Sequence, residues 1–371
     1  MSAADRTPTG PAARSGRGRA GAALTRFTLV RSLLVVAVTG LALYLVTGSL
    51  SDYRNSQIAT GCYYFAALAG LTILAGLGGR ISLGHGALMA CGAYTAALLI
   101  GKEGWALAPA LAASAGSTAL IGVPLGLAAT RLEGPYLAGA TLSFAVGLPA
   151  LADKFPGLFG GENGLTLNPP TPPSSLGQSF TLYHWEAWIA AIGSLIVLFV
   201  LYNLVHSGSG RALRAVRDDE IAASLCGLRV GRTQTTAFVI SAACAGLGGG
   251  LLAAAVQQLA APGAFGIQLS LDLLAGVVIG GLGSLWGAIW GAALLVLLPN
   301  WTSDLAHSVS LSTNVSNNLP LAVYGAVLMA AMLVWPTGIQ GGLRVLLRRA
   351  RGLRRGGRTA ADQRGAPSSA A

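Results

Sequence analysis

The sequence predicts an all-α, polytopic transmembrane helical bundle of about 8–10 spans, with its N-terminus and C-terminus cytoplasmic. Three observations carry that expectation. Only 10% of the 371 residues are charged, against about 25% in an ordinary soluble domain. AVILMFWYC residues make up 53% of the chain and the mean hydropathy is +0.63. So few charges cannot cover a water-facing surface, which excludes a soluble globular protein. Apolar runs close to the ~20 residues that cross a bilayer also recur along the whole chain.

Taken in order, residues 1–26 are rich in Ala, Gly, Ser and Arg without apolar periodicity and read as a disordered basic arm. The run from Leu33 to Val46 follows Arg26 and Arg31 but precedes no small-x-small cleavage site, so it reads as an uncleaved first span. Spans are expected near 30–50, 57–78, 82–100, 106–130, 136–152, 185–205, 235–257, 271–282, 287–300 and 319–337. Runs 271–282 and 287–300 are short and broken by glycine, which leaves a re-entrant hairpin open there. The membrane domain is therefore 27–343. It carries a long Pro/Gly-rich extracytoplasmic loop at 153–184 and a charged cytoplasmic loop at 206–234, and a basic tail follows at 344–371.

Charge placement fixes the expected orientation. The net charge is +11, and the 24 cations are 22 Arg and two Lys, Lys102 and Lys154. With the N-terminus inside, 21 of the 24 fall on the cytoplasmic side, and only Arg54, Lys102 and Lys154 fall outside. That is a strong positive-inside bias, and it survives the loss of two crossings. The tail from Arg344 to Arg358 has no interleaved aromatic residues, so it reads as a contact for anionic inner-leaflet lipid and not for nucleic acid.

The residues carry little catalytic chemistry. Cys62, Cys91, Cys226 and Cys244 lack CxxC spacing and the four His are scattered, so no metal site or cofactor is expected and the cysteines read as small buried hydrophobes. No G-x-x-x-x-G-K-[ST] phosphate loop occurs. The strings GLGGG (246–250) and GGLGSLWG (280–287) sit in apolar runs, where glycine permits close helix packing. GGRISL (78–83) and GGLGSL (280–285) share Gly-Gly-x-x-Ser-Leu and read as places where helices break, with a possible parallel repeat between them. Broken helices expose backbone donors and acceptors that suit a zwitterion without an ionised side chain. Polar pathway candidates in the apolar runs are Ser82, His85, Tyr94, Tyr136, Thr141 and Ser143. Ser82 also reads as an N-cap of an 83–100 helix and His85 as a hydrogen-bonded helix-end residue. Glu186 and Asp272 read as span-edge residues.

The loop HSGSGRALRAVRDDEIAASLCGLRVGRTQ carries the strongest signal. Arg214 and Asp218 stand at i,i+4, and Ile221, Leu225 and Leu228 form one narrow apolar stripe. Ala222 and Ala223 permit close approach, and Gly227 stops the helix. Such a helix fits a groove in a soluble partner or lies on the inner leaflet.

This segment, GRALRAVRDDEIAASLCGL, resembles the coupling segment of ABC-importer permeases, in particular the branched-chain amino-acid permease family. GLGGRISLGHGALMACGAYTAALL (76–99), EGPYLAGATLSFA (133–145), GGENGL (160–165) and LAGVVIGGLGSLWGAIWGAALLVLLP (274–299) resemble it too, in order, from about residue 57 to 340. The general pattern of Glu-Ala-Ala, three residues, then Gly is matched by Ala222, Ala223 and Gly227. Ile221 stands where that pattern has Glu, and Glu220 comes one place early.

The resemblance implies an importer subunit that is not itself an enzyme. It would pair with a second permease chain, two cytoplasmic ATPase subunits and an extracytoplasmic solute-binding protein, with ATPase coupling through Arg211, Arg214, Arg217, Asp218, Asp219, Glu220, Ala222, Ala223 and Gly227. Branched-chain or other hydrophobic amino acids are the implied cargo, and urea or a short amide is the alternative on the same scaffold. A stand-alone secondary transporter would need membrane-embedded acidic residues, and no convincing set is present.

Overall fold

The computed structural model of the chain describes residues 13–308 except 133, 162–163, 166, 168–171, 173–180 and 256–264, together with scattered positions from 322 to 345. Among the described residues every regular element is a helix. In order they are α1 (Ala13–Ser49), α2 (Asp52–Thr72, continued by a π-turn Ile73–Leu77), α3 (His85–Gly101), α4 (Leu107–Ala129), α5 (Pro135–Lys154), α6 (Pro156–Phe159), α7 (Leu182–His206), α8 (Gly208–Asp218), α9 (Glu220–Leu225), α10 (Val230–Ala255), α11 (Ile267–Gly280) and α12 (Leu285–Ser308).

Among the described residues seven helices are long and apolar enough to cross a membrane: Leu29–Ser49 of α1, α2 with its π-turn, α4, α5, α7, α10 and Leu285–Thr302 of α12. Helices α3 and α11 are apolar but shorter, at 17 and 14 residues. At 1.5 Å per residue they reach only ~26 and ~21 Å, less than the ~30 Å hydrocarbon core. Of the two doubtful runs, 287–300 falls in α12, which has spanning length, and 271–282 falls largely in α11, which does not. The run 319–337 lies outside the described residues apart from scattered helical positions. Helix α1 begins inside the stretch expected to be a disordered arm, because Ala and Arg propagate a helix already nucleated by the apolar run. Residues 1–12 lie outside the described residues.

The helices alternate in direction, giving the bundle two distinct ends. One is basic, with Arg80, Arg131, the 206–234 loop and Arg344 gathered there through Arg80–Glu220 and Arg344–Ser284 contacts. At the opposite end Lys102 donates to the Gly157 carbonyl at 2.9 Å and Thr181 donates to Asp52 at 2.8 Å.

Helix α10 is the centre of the bundle, and GLGGG explains how. Gly246 faces Thr118 of α4 and Gly92 of α3, Gly248 faces the Tyr63 carbonyl of α2, and Gly249 faces the Met89 carbonyl of α3. A side chain at any of them would overlap its neighbour. One short string thereby presents three faces of a helix to three partners, which only glycine allows at such spacing. The cysteines follow the expected burial except one: Cys62 and Cys244 are buried and Cys91 is half-buried, while Cys226 on the loop is exposed.

Candidate functional site

Two helix breaks meet at the basic end. After its π-turn α2 stops, and residues 78–84 run outside helix until α3 starts at His85. Residues 281–284 do the same between α11 and α12. Both breaks carry Gly-Gly-x-x-Ser-Leu, and the second glycine of each, Gly79 at φ +67° and Gly281 at φ +116°, adopts a backbone that a side chain would strain. The breaks touch, since a Cβ on Gly76 would overlap the Gly283 backbone. Matching positions therefore perform the same backbone task, which strengthens the reading of a repeat.

Beside the first break lies a buried polar knot. His85 is fully buried, with Nδ1 3.2 Å from Ser82 Oγ and Nε2 2.7 Å from Ser241 Oγ of α10. The Leu83 N–H donates to Thr141 Oγ1 of α5 at 2.9 Å, and the Gly86 N–H donates to Ser270 Oγ of α11 at 3.0 Å. One backbone donor just before α3 and one in its first turn are thus satisfied by side chains from two other helices. This corrects the expected role of Ser82: the helix starts at His85 with Gly84 before it, and Ser82 Oγ accepts the Gly84 N–H at 3.3 Å. Ser241 and Ser270 were not legible as site residues, being single serines in apolar helices.

The remaining pathway candidates lie elsewhere. Tyr94 is buried further along α3, edge-on to Phe159 at 5.0 Å and near Phe265 at 6.4 Å, and its hydroxyl has no hydrogen bond to a described residue. Tyr136 is 78% exposed, and Ser143 shares the outward face of α5 with its hydroxyl turned back to the Gly139 carbonyl. The structure brings Ser82, His85 and Thr141 together and leaves Tyr94, Tyr136 and Ser143 apart. Glu186, expected at a span edge, is buried near the start of α7, and Asp272 accepts from Gln268 at 3.2 Å on α11.

The 206–234 loop is two helices and not one. Asp219 is extended (φ −159°, ψ 112°) and caps α9, its carboxylate accepting the N–H groups of Ile221 and Ala222 at 2.9 Å each. An Asp that caps a helix interrupts the one before it, and this is why the continuous helix fails. At the other end Gly227 (φ +84°) closes α9: its N–H donates to the Ser224 carbonyl and the Leu228 N–H to the Ala223 carbonyl. The expected Arg214–Asp218 pair does not form. Asp218 pairs with Arg217 at 2.7 Å, and Arg214 donates to the Val205 carbonyl. Leu213 and Val216 anchor α8 in the bundle, while Arg211 stays exposed. Ile221 and Leu225 are 75% and 84% exposed, Ala222 is exposed, Ala223 is buried, and Leu228 lies past the helix end, half-buried.

Three contacts bind this loop to the first break. Arg80, within the break, donates to Glu220 Oε1 at 2.7 Å, and Gln234 of α10 donates to the same oxygen at 2.8 Å. Arg80 also reaches the Leu132 carbonyl ahead of α5. Arg217 donates to the Gly76 carbonyl at 2.7 Å, and its stem lies where a Gly79 side chain would be. Glu220, one place early against the general pattern, therefore anchors the loop. The polar cleft between these parts, lined by Gly78, Arg80, Gly134, Asp219 and Ile221, holds about 640 Å³.

A multi-pass helical bundle with paired helix breaks, and an amphipathic loop tied to one of them, defines a membrane permease. Comparison with known proteins gives the family: residues 53–332 match the branched-chain amino acid transport system / permease component family, and the chain belongs to it. It is 32% identical over 339 residues to the high-affinity branched-chain amino acid transport system permease protein LivM of Escherichia coli K12, covering 84% of this chain and 75% of that protein. The LivM of Salmonella typhimurium is 33% identical over 308 residues, covering 76% and 69%. The LivH permease protein of E. coli K12 is 26% identical over 305 residues, covering 76% and 93%. No solved structure matches the chain. The spans and the family together make it a multi-pass plasma-membrane protein.

Proposed function

We propose that the chain is the membrane-spanning permease subunit of an ABC importer that carries branched-chain amino acids, working with a second permease subunit. Two ATPase subunits bind at the basic end, which is cytoplasmic by its Arg surplus, and a solute-binding protein docks at the opposite end around α6 and the Gly160–Gly164 turn. The carrying observation is α9. Two large apolar side chains, Ile221 and Leu225, stand exposed on a helix fixed by an Asp cap and a left-handed Gly stop, and Glu220 at its start is held by Arg80 of the helix break. An exposed apolar pair held rigidly at a basic face is a docking feature, and its anchor reaches the element that opens or closes a path.

The pathway runs past the breaks, where backbone dipoles meet the carboxylate and ammonium of an amino acid. Ser82, His85 and Thr141 hold that backbone in place. The test is co-purification of the tagged chain with subunit identification, followed by uptake of labelled leucine with urea as competitor in a deletion strain. An ATPase subunit in the complex and leucine uptake lost on Ile221→Asp/Leu225→Asp are expected. A complex without an ATPase, or uptake indifferent to both substitutions, overturns the reading. Ala223→Arg is a poor probe, since Ala223 faces its own protein.

A further inference from the structure

We infer that the crevice between α1, α2, α7 and α12 is a binding site for one anionic phospholipid, its phosphate on Arg54 and an acyl chain along the apolar walls. The crevice holds about 580 Å³ and is walled by Leu43, Ile58, Phe65, Leu195 and Val296, with Arg54, Gln57 and Trp301 at one mouth. That mouth is at the end opposite the 206–234 loop. From Arg54 to Phe65 along α2 is ~17 Å at 1.5 Å per residue, and half of the ~30 Å hydrocarbon core is ~15 Å. The crevice is one leaflet deep, with a guanidinium and an indole where the headgroups begin.

Arg54 has no other explanation in the structure. It is one of three cations on the side that the charge bias leaves poor in them. The other two are accounted for: Lys102 donates to the Gly157 carbonyl, and Lys154 sits in the last turn of α5, where a helix favours a cation. Arg54 sits in the first turn of α2, where the helix disfavours a cation, and it makes no hydrogen bond or ion pair with a described residue. Asp52, in the same turn, already accepts from Thr181. What the guanidinium lacks is an anion from outside the chain, and its fork matches two oxygens of a phosphodiester. Trp301, 64% exposed, occupies the interfacial level at which indoles collect.

A helix from another chain fits less well. A helical segment from a membrane-spanning partner would continue past the inner end at Phe65 and Leu198. A single acyl chain ends where the crevice ends.

The test is native mass spectrometry of the full chain, extracted with its bound partners and incubated with phosphatidylglycerol or phosphatidylcholine. The wild type is expected to retain one phosphatidylglycerol in preference. Arg54→Gln should lower the phosphatidylglycerol-to-phosphatidylcholine ratio about fivefold, the worth of one cation near a lipid surface. Gly61→Leu should expel both lipids, because Gly61 lines the crevice and a side chain there meets nothing within 4 Å. Ala293→Phe on the facing wall serves as a second plug if Gly61→Leu fails to fold. A ratio unchanged by Arg54→Gln overturns the site, as does retention by both plugged variants. Capture of a polypeptide instead of a lipid by a photo-crosslinker at position 57 would assign the crevice to a partner and overturn it equally.

Discussion

At the scale of single residues, the glycines sort into those that a neighbour forbids to change and those that nothing constrains. Gly249 faces the Met89 carbonyl so closely that a Cβ cannot be accommodated, whereas Gly116 on α4 has nothing within 4 Å of that position. Gly249→Leu should therefore abolish the monodisperse folded peak in fluorescence-detected size exclusion. Gly116→Ala should stabilise the bundle by the ~0.5–1 kcal/mol that glycine costs inside a helix, read as a higher melting midpoint. The same contrast decides what was legible. GLGGG announced close packing from composition alone, but nothing in the string says that its glycines face three different helices. The polar residues follow suit. His85 was readable as a hydrogen-bonded helix-end histidine, yet its partner Ser241 lies 156 positions away and no local pattern points to it. Arg80–Glu220 is hidden for the same reason, although both residues stood inside recognisable motifs. Because Arg80 also holds the Leu132 carbonyl and Glu220 also holds Gln234, the pair belongs to a network. Arg80→Ala and Glu220→Ala should be non-additive by ~0.5–3 kcal/mol in a double-mutant cycle on thermal stability. Strict additivity would show that the two side chains do not act together.

At the scale of elements, turn chemistry decided where sequence periodicity misled. The stretch from Gly210 to Gly227 contains no internal Gly or Pro and reads as one helix, but Asp219 spends its carboxylate on two backbone donors and splits it. The aspartate that looked like half of an ion-pair run is the cap that creates α9. Asp219→Ala should release those donors and destabilise α9 by ~1 kcal/mol, seen as faster proteolysis between 206 and 234 with the bundle's melting unchanged. Gly227→Ala should act in the same direction, through the ~1–2 kcal/mol cost of a left-handed backbone at a residue with a Cβ. If neither change raises loop cleavage, α9 is held by its partners and not by its caps. The broken helices were legible as Gly-Gly-x-x-Ser-Leu twice over. That the two breaks press against each other was not, because 202 residues separate Gly79 from Gly281 and only the folded chain brings them together.

At the scale of the whole molecule, the charge asymmetry becomes a geometric statement that can be tested with the chain's own chemistry. The described arginines other than Arg54 and the N-terminal ones collect at the end where α8 and α9 lie. In the orientation we propose, that surplus puts this end inside. Cys226 is the exposed member of the four cysteines and sits at the end of α9, while Cys62 and Cys244 are buried within the spans. A membrane-impermeant maleimide should therefore modify the wild-type chain in inside-out vesicles and leave it unmodified in right-side-out ones. Trp105→Cys, introduced into a Cys226→Ser chain at an exposed position between α3 and α4, should give the reverse pattern. Bound ATPase subunits should shield Cys226, since Leu225 beside it is among the most exposed apolar side chains of the loop, and stripping them from the membrane should restore labelling. Modification of Cys226 from the outside would invert the topology and remove the ATPase dock. Labelling from the inside that no subunit shields would keep the orientation and place the dock away from α9.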